Sequence, residues 1–166
     1  MQPLPDLRIE VSVARQSLRL YQQEQLLREY PVSTSRHGIG YEEGSFKTPL
    51  GAFQVAEKIG HAAPWGTVFK SRQPVGVWLP DGHGHEDGGR GNHQGDLVLT
   101  RILWLDGLDP DNGSTLARYI YIHGTNHEDS IGVPASMGCV RMRNDDVIEL
   151  FDMVPEGTPV TIVDPG

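Results

Sequence analysis

One cysteine, no long apolar run and a shortage of basic side chains set the first bounds on this chain of 166 residues. A single thiol excludes any intrachain disulfide, which fits a reducing compartment. No stretch approaches the roughly 18 apolar residues that cross a bilayer, so no membrane span is expected. Acidic residues number 22 against 14 Lys and Arg, a net charge of −8 that argues against a phosphate-binding face and hence against nucleic-acid partners. The opening "MQPLPDLRIEVSV" has neither a basic n-region nor an apolar h-region. The expected compartment is therefore the cytoplasm, or the periplasm had an export signal been removed.

Long helices are scarce as well, because 20 glycines and 12 prolines punctuate the chain at short intervals. What is present is apolar alternation, in "LRIEVSV", "SLRLYQ", "GAFQVAEK", "DLVLTRILWL", "ARYIYIHG" and "PVTIV". Turn signals separate these runs at Pro80-Asp81-Gly82 and Asp111-Asn112-Gly113. The pattern predicts a mainly β single domain over 1–166, a sandwich or partly closed barrel. One helix is expected in "RNDDVIELFDMV", with Asn144 as N-cap, Asp145 and Asp146 in its first turn, and Val147, Ile148 and Phe151 on one face. Residues 81–96, "DGHGHEDGGRGNHQGD", hold no apolar side chain and read as a mobile surface loop, a flap over or beside a site.

Cys139 admits three readings: a small buried hydrophobe, a metal ligand or a nucleophile. Gly138 removes a side chain beside the sulfur, and Ser136 and Arg141 put polar groups where a core cysteine has apolar neighbours. The metal reading rests on His83, His85 and His93 in the glycine-rich loop, with His61, His123 and His127 scattered elsewhere. A tight site needs ligands on rigid elements, so no metal is expected. The nucleophile reading needs a base. In "RYIYIHG" alternation puts Tyr119, Tyr121 and His123 on one strand face and Ile120 and Ile122 on the other, which gives His123 a fixed direction for proton transfer over about 3 Å. A histidine partner and a close backbone predict a depressed thiol pKa at Cys139.

These residues resemble the YkuD-type L,D-transpeptidase domain of bacterial cell-wall enzymes. That family carries His-Gly-Thr, then Ser-x-Gly-Cys-x-Arg; here stand His123-Gly124-Thr125 and Ser136-Met137-Gly138-Cys139-Val140-Arg141. A second block, Thr48-Pro49-x-Gly51-x-Phe53 after "YPVSTS", looks like the family too, and the similarity runs from about Tyr30 to Val163. The resemblance implies Cys139 as nucleophile, His123 as general base and the Gly124 carbonyl orienting the imidazole. It implies an oxyanion hole from the N–H groups of Gly138 and Cys139. Ser136, Met137, Arg141, Tyr121 and Thr125 would meet the substrate, and Arg141 could instead form an ion pair with Asp145 or Asp146. Many members have histidine where this chain has Met137.

The activity so implied is acyl transfer through a thioester on peptidoglycan tetrapeptide stems or muropeptides, without a cofactor and open to carbapenem-type inhibitors. With no export signal visible, release of D-alanine by a cytoplasmic L,D-carboxypeptidase in murein recycling is the leading expectation. Formation of 3-3 cross-links or D-amino-acid exchange is the alternative. A metal-dependent hydrolase and a non-catalytic cell-wall peptide-binding module are the readings from other classes.

Overall fold

The computed structural model describes residues 6–80, 85–86 (main chain only) and 96–164. Among them eleven strands form one sheet: β1 Leu7–Ser12, β2 Ser17–Gln22, β3 Gln25–Ser33, β4 Gly51–Ile59, β5 Thr67–Lys70, β6 Gln73–Val77, β7 His85–Glu86, β8 Val98–Gly107, β9 Tyr121–Gly124, β10 Val140–Met142 and β11 Pro159–Val163. The order β4-β11-β1-β2-β3-β10-β9-β8 returns to its start because β8 also pairs with β4. Eight strands thus close into a ring, and β5, β6 and β7 extend from β8 as an arm. The mainly β, barrel-like fold with one helix is the one the sequence predicted, with the barrel closed by the β4–β8 pairing.

Period-two burial drives this arrangement. Leu18 and Leu20 of β2, Leu103 and Leu105 of β8, and Val160 and Ile162 of β11 all turn into one core. Each fully buried Leu or Ile contributes about 1.5–3 kcal/mol by leaving water. On β9, Ile122 joins that core while Tyr121 packs on the opposite face with Phe69 and Ile102. Sequence alternation foretold this split, but the strand is shorter than "ARYIYIHG" suggested. Tyr119 stands in the left-handed region (φ 57°), and β9 begins only at Tyr121.

The helix α1 spans Asn144–Met153 and buries Val147, Leu150 and Phe151; Leu150, rather than Ile148, completes its inner face. Arg143 occupies the N-cap position, and its side chain makes no cap bond. Asn144 is instead the first helical residue, and the cap acceptor is Glu128, whose carboxylate takes the Asn144 main-chain N–H at 2.7 Å. The Asn144 side chain turns inward because it has other work. Its Nδ2 donates to the Thr125 carbonyl (2.9 Å) and to Glu128 (2.8 Å), and its Oδ1 accepts from the Thr100 hydroxyl (2.6 Å). Thr100 lies in a bulge of β8 with φ 78°.

Of the stretch 81–96 expected to form a mobile flap, most lies outside the described residues; the main chain of His85–Glu86 pairs with β6. Among the described residues no helix is long and apolar enough to cross a membrane.

Replacing Asn144 by Ala should strand the Thr125 carbonyl and leave the Thr100 hydroxyl proton without an acceptor. Each buried orphan costs about 1–3 kcal/mol, so urea unfolding should show a loss of about 3 kcal/mol. An unchanged midpoint would deny the network its structural role.

Candidate active site

β9 and β10 run parallel and in contact, with Val140 beside Ile122, Arg141 beside His123 and Met142 beside Gly124. One step earlier Cys139 lies level with Tyr121, so His123 sits about 7 Å further along the neighbouring strand on the face that Tyr121 shares. His123 is buried, and its Nδ1 bonds the Gly124 carbonyl. A carbonyl can only accept, so Nδ1 carries the proton and Nε2 is left as the base. Gly124 is required by close approach: a Cβ there would meet Asn144 Oδ1 at 2.3 Å and the Leu99 carbonyl at 2.8 Å. Burial lowers the His123 pKa; Asp96 and the Gly124 carbonyl oppose that, and Arg141 adds to it. The imidazole is thus neutral and ready to accept a proton.

The turn before Cys139 is held by hydroxyls. Gly138 has φ +124°, in the left-handed region that favours glycine. The Ser136 hydroxyl donates to the Cys139 carbonyl (2.7 Å) and accepts the Gly138 N–H (3.2 Å). Thr48 donates to the Gly138 carbonyl (3.0 Å) and accepts the Ser35 N–H (3.0 Å). Ser35 and Ser136 are also bridged through the main chain. The Thr48-Pro49 block therefore clamps the cysteine turn from across the chain.

Cys139 is half-buried against Phe69, Ile102 and Tyr121. Its thiol donates to the Tyr119 carbonyl at 3.4 Å, and its sulfur accepts the Tyr121 N–H at 3.3 Å. Among the described residues no hydrogen bond joins it to His123. Burial pushes the thiol up to about 12, with the Tyr121 N–H and the cations Arg118 and Arg141 pulling down and Asp96 pushing up. The depressed pKa expected from sequence is therefore reversed: the sulfur is in an apolar setting, and its histidine partner is not bonded to it. Both members of the pair rest uncharged.

Several residues expected to meet substrate are placed differently. Ser136 and Thr125 are fully buried and structural: Thr125 accepts the His127 N–H at 3.0 Å and yields its carbonyl to Asn144. The Gly138 N–H is engaged by Ser136, which takes it out of the expected oxyanion pair and leaves the Cys139 N–H. Tyr121 is buried, edge-on to the His123 ring (centroids 6.4 Å apart). Arg141 pairs neither with Asp145 nor with Asp146; its Nη1 meets Asp96 at 3.0 Å and its Nη2 meets Ser130 at 2.8 Å. Asp145 instead accepts from Trp65. Arg141 still lines a cleft of about 450 Å³ with Arg36, Asp96 and Met137. Met137 is exposed and also lines a second cleft of about 250 Å³ with Glu43, Phe46, Arg118 and Ile120.

Sequence reasoning gave no role to Asp96, Arg118 or Asn144 at the site, and it placed Thr48 in a motif without assigning its contact. No periodicity or spacing marks these four, because their partners lie 13 to 90 positions away. Among the described residues no group of three or more His, Cys, Asp or Glu could hold a metal. The side chains of His83, His85 and His93 lie outside the described residues.

A thiol of raised pKa should alkylate slowly at neutral pH. With iodoacetamide the rate at Cys139, followed by intact mass, should keep climbing through pH 10 as thiolate forms, and no adduct should appear in Cys139→Ser. A plateau reached below pH 8 would show a preformed thiolate and contradict the neutral resting pair.

The family model described as the L,D-transpeptidase catalytic domain matches residues 6–162. A probable L,D-transpeptidase ErfK/SrfK of Salmonella typhimurium is 30% identical over 168 residues, covering 97% of this chain and 48% of that protein. A putative L,D-transpeptidase YkuD of Bacillus licheniformis is 31% identical over 155 residues, covering 93% and 64%. The chain thus spans about half to two thirds of the length of these relatives. Among solved structures, the L,D-transpeptidase LdtMt1 in complex with imipenem aligns over 95% of this chain and 48% of its own, with a TM-score of 0.57 and 20% identity, a likeness of fold. The chain belongs to the L,D-transpeptidase catalytic domain family of cysteine enzymes.

Proposed function

We propose that Cys139 and His123 carry out acyl transfer on the L–D peptide bond of peptidoglycan tetrapeptide stems. The observation that carries this reading is the parallel pairing of β9 with β10, which sets a base with a free Nε2 on the strand beside the sulfur. The thiol turns from the Tyr119 carbonyl and gives its proton to His123 Nε2. The sulfur then attacks the carbonyl carbon of the L-centre, and the oxyanion takes the Cys139 N–H. Collapse breaks the C–N bond, and His123 returns the proton to the amine of the departing D-alanine. A thioester remains on Cys139. Every step uses groups of the chain itself.

The finer reading is that water resolves the thioester, making this an L,D-carboxypeptidase that trims soluble tetrapeptides during cytoplasmic murein recycling. A net charge of −8 suits a small soluble substrate better than an anionic wall polymer. The single cysteine is compatible with a reducing compartment. A specific feature favours a second reading, transfer to an amine. The smaller cleft shares Met137 with the larger and has Glu43 on its wall, where an acceptor ammonium would find a counter-charge.

Incubation with a disaccharide tetrapeptide, with and without a D-amino acid, separates these outcomes by mass spectrometry. Tripeptide and D-alanine should dominate for hydrolysis; dimers or exchanged D-residues in excess would make it a transpeptidase. His123→Gln should lower kcat by about 10²–10⁴, the usual worth of a general base, and Cys139→Ser should abolish turnover. Imipenem should add once to the wild type and not to Cys139→Ser. Full turnover by Cys139→Ser would refute the thioester route.

A further inference from the structure

The arginines Arg118, Arg141 and Arg72 differ in how their hydrogen-bond donors are spent. Arg118 gives its N–H groups to the carbonyls of Gly40 and Lys47 and to Ser45. Arg141 gives its own to Asp96 and Ser130. Among the described residues Arg72, at the tip of the β5–β6 hairpin, makes a single side-chain bond, from Nη1 to the Tyr121 hydroxyl at 3.2 Å. Its guanidinium lies 4.7 Å from the centroid of the Trp104 ring and 5.0 Å from that of Tyr119. Among the described residues no carboxylate comes within ion-pair distance of it.

We propose that Arg72 is the carboxylate-recognition residue of the substrate site, since the two tyrosines whose side chains hold its guanidinium are the two whose main chain holds the Cys139 sulfur. Tyr119 offers its carbonyl to the thiol at 3.4 Å and its ring to Arg72; Tyr121 offers its N–H to the sulfur at 3.3 Å and its hydroxyl to Arg72. Stacking occupies the faces of a guanidinium and leaves its edges free. Of five N–H donors one is used, so an edge remains for the two oxygens of a carboxylate. A carboxylate at that edge would make charge-assisted hydrogen bonds, which are stronger than neutral ones.

Backbone strain supports a selected position. Ser71 and Arg72 both have positive φ, 48° and 65°, the geometry of a type I′ hairpin turn that Asn-Gly adopts most easily. Tyr119 is left-handed too. Such conformations of non-glycine residues cost of order 1–3 kcal/mol each and gather at functional sites. Tyr119 meets the sulfur through its carbonyl, and the two turn residues carry the guanidinium that lies against its ring.

The inference rests on the proposed reaction for the nature of the ligand. The bound group is a carboxylate next to the scissile bond, either the C-terminal α-carboxylate of the leaving residue or a side-chain carboxylate of the residue before it. Binding is read by calorimetry in Cys139→Ala, which cannot turn over, with three synthetic tetrapeptides: the free acid, its C-terminal amide and its side-chain amide. One amidation should weaken binding about tenfold or more, the worth of a charge-assisted hydrogen bond, and the amide that does so identifies the source. Adding Arg72→Gln should erase that difference, and Arg72→Lys should restore part of it, with the melting temperature unchanged in both. Equal affinity for all three peptides in the presence of Arg72 would overturn the proposal, as would an equal loss for all three in Arg72→Gln. Wild-type turnover of the same peptides tests the reaction separately, because peptide discrimination in Cys139→Ala does not depend on chemistry at the sulfur.

Discussion

Parallel pairing of β9 with β10 at Ile122 and Val140 is the contact from which the site follows. It joins segments separated in sequence by turns and a single 3₁₀ turn, and it converts a spacing of sixteen positions between His123 and Cys139 into adjacency. The pairing is itself enforced from both flanks. β3 pairs with β10 on one side and β8 with β9 on the other, so neither strand can slip by one residue without exposing Ile122 and Val140 to water. Polar clamps then finish what the ladder begins. Asn144 fastens the end of β9 to α1, while Thr48 and Ser136 fix the turn that presents the sulfur.

The resting electrostatics follow from this enclosure. A strand-borne imidazole bonded to its own neighbour's carbonyl has one protonation choice, and burial makes it neutral. A thiol surrounded by Phe69, Ile102 and Tyr121 is likewise held neutral. In the proposed reaction, charge separation is thereby deferred until a substrate carbonyl is in place to receive it.

The parts legible in the sequence were those governed by local period. The outer strands, the helix from 144 to 153 and the two-faced character of Ile122 and His123 came from alternation, which encodes burial residue by residue. The Cys139 and His123 motifs were legible through their resemblance to a family. What stayed hidden was non-local. β10 is three residues long and β5 four, too short to show a period, and β3 has exposed residues along half its length. Ser136 and Thr125 looked available because their neighbours are polar; only the folded chain shows those hydroxyls turned inward onto carbonyls and amides. Asp96 belongs to a stretch whose composition spoke of solvent, yet its carboxylate meets an almost wholly buried guanidinium.

Among the described residues the main-chain ladder between the arm of β5, β6 and β7 and the ring has two residue pairs, Val68 with Leu99 and Phe69 with Val98. A closed ring has no edge at which to fray, whereas an arm fastened at two rungs does. The arm is accordingly the less firmly laddered part of the sheet. In hydrogen exchange the ring amides would open with global unfolding and those of the arm well before it. Phe69, which packs against Cys139, and the hairpin that carries Arg72 both belong to the arm, so that opening the arm would bare the sulfur while leaving the ladder of β9 and β10 in place.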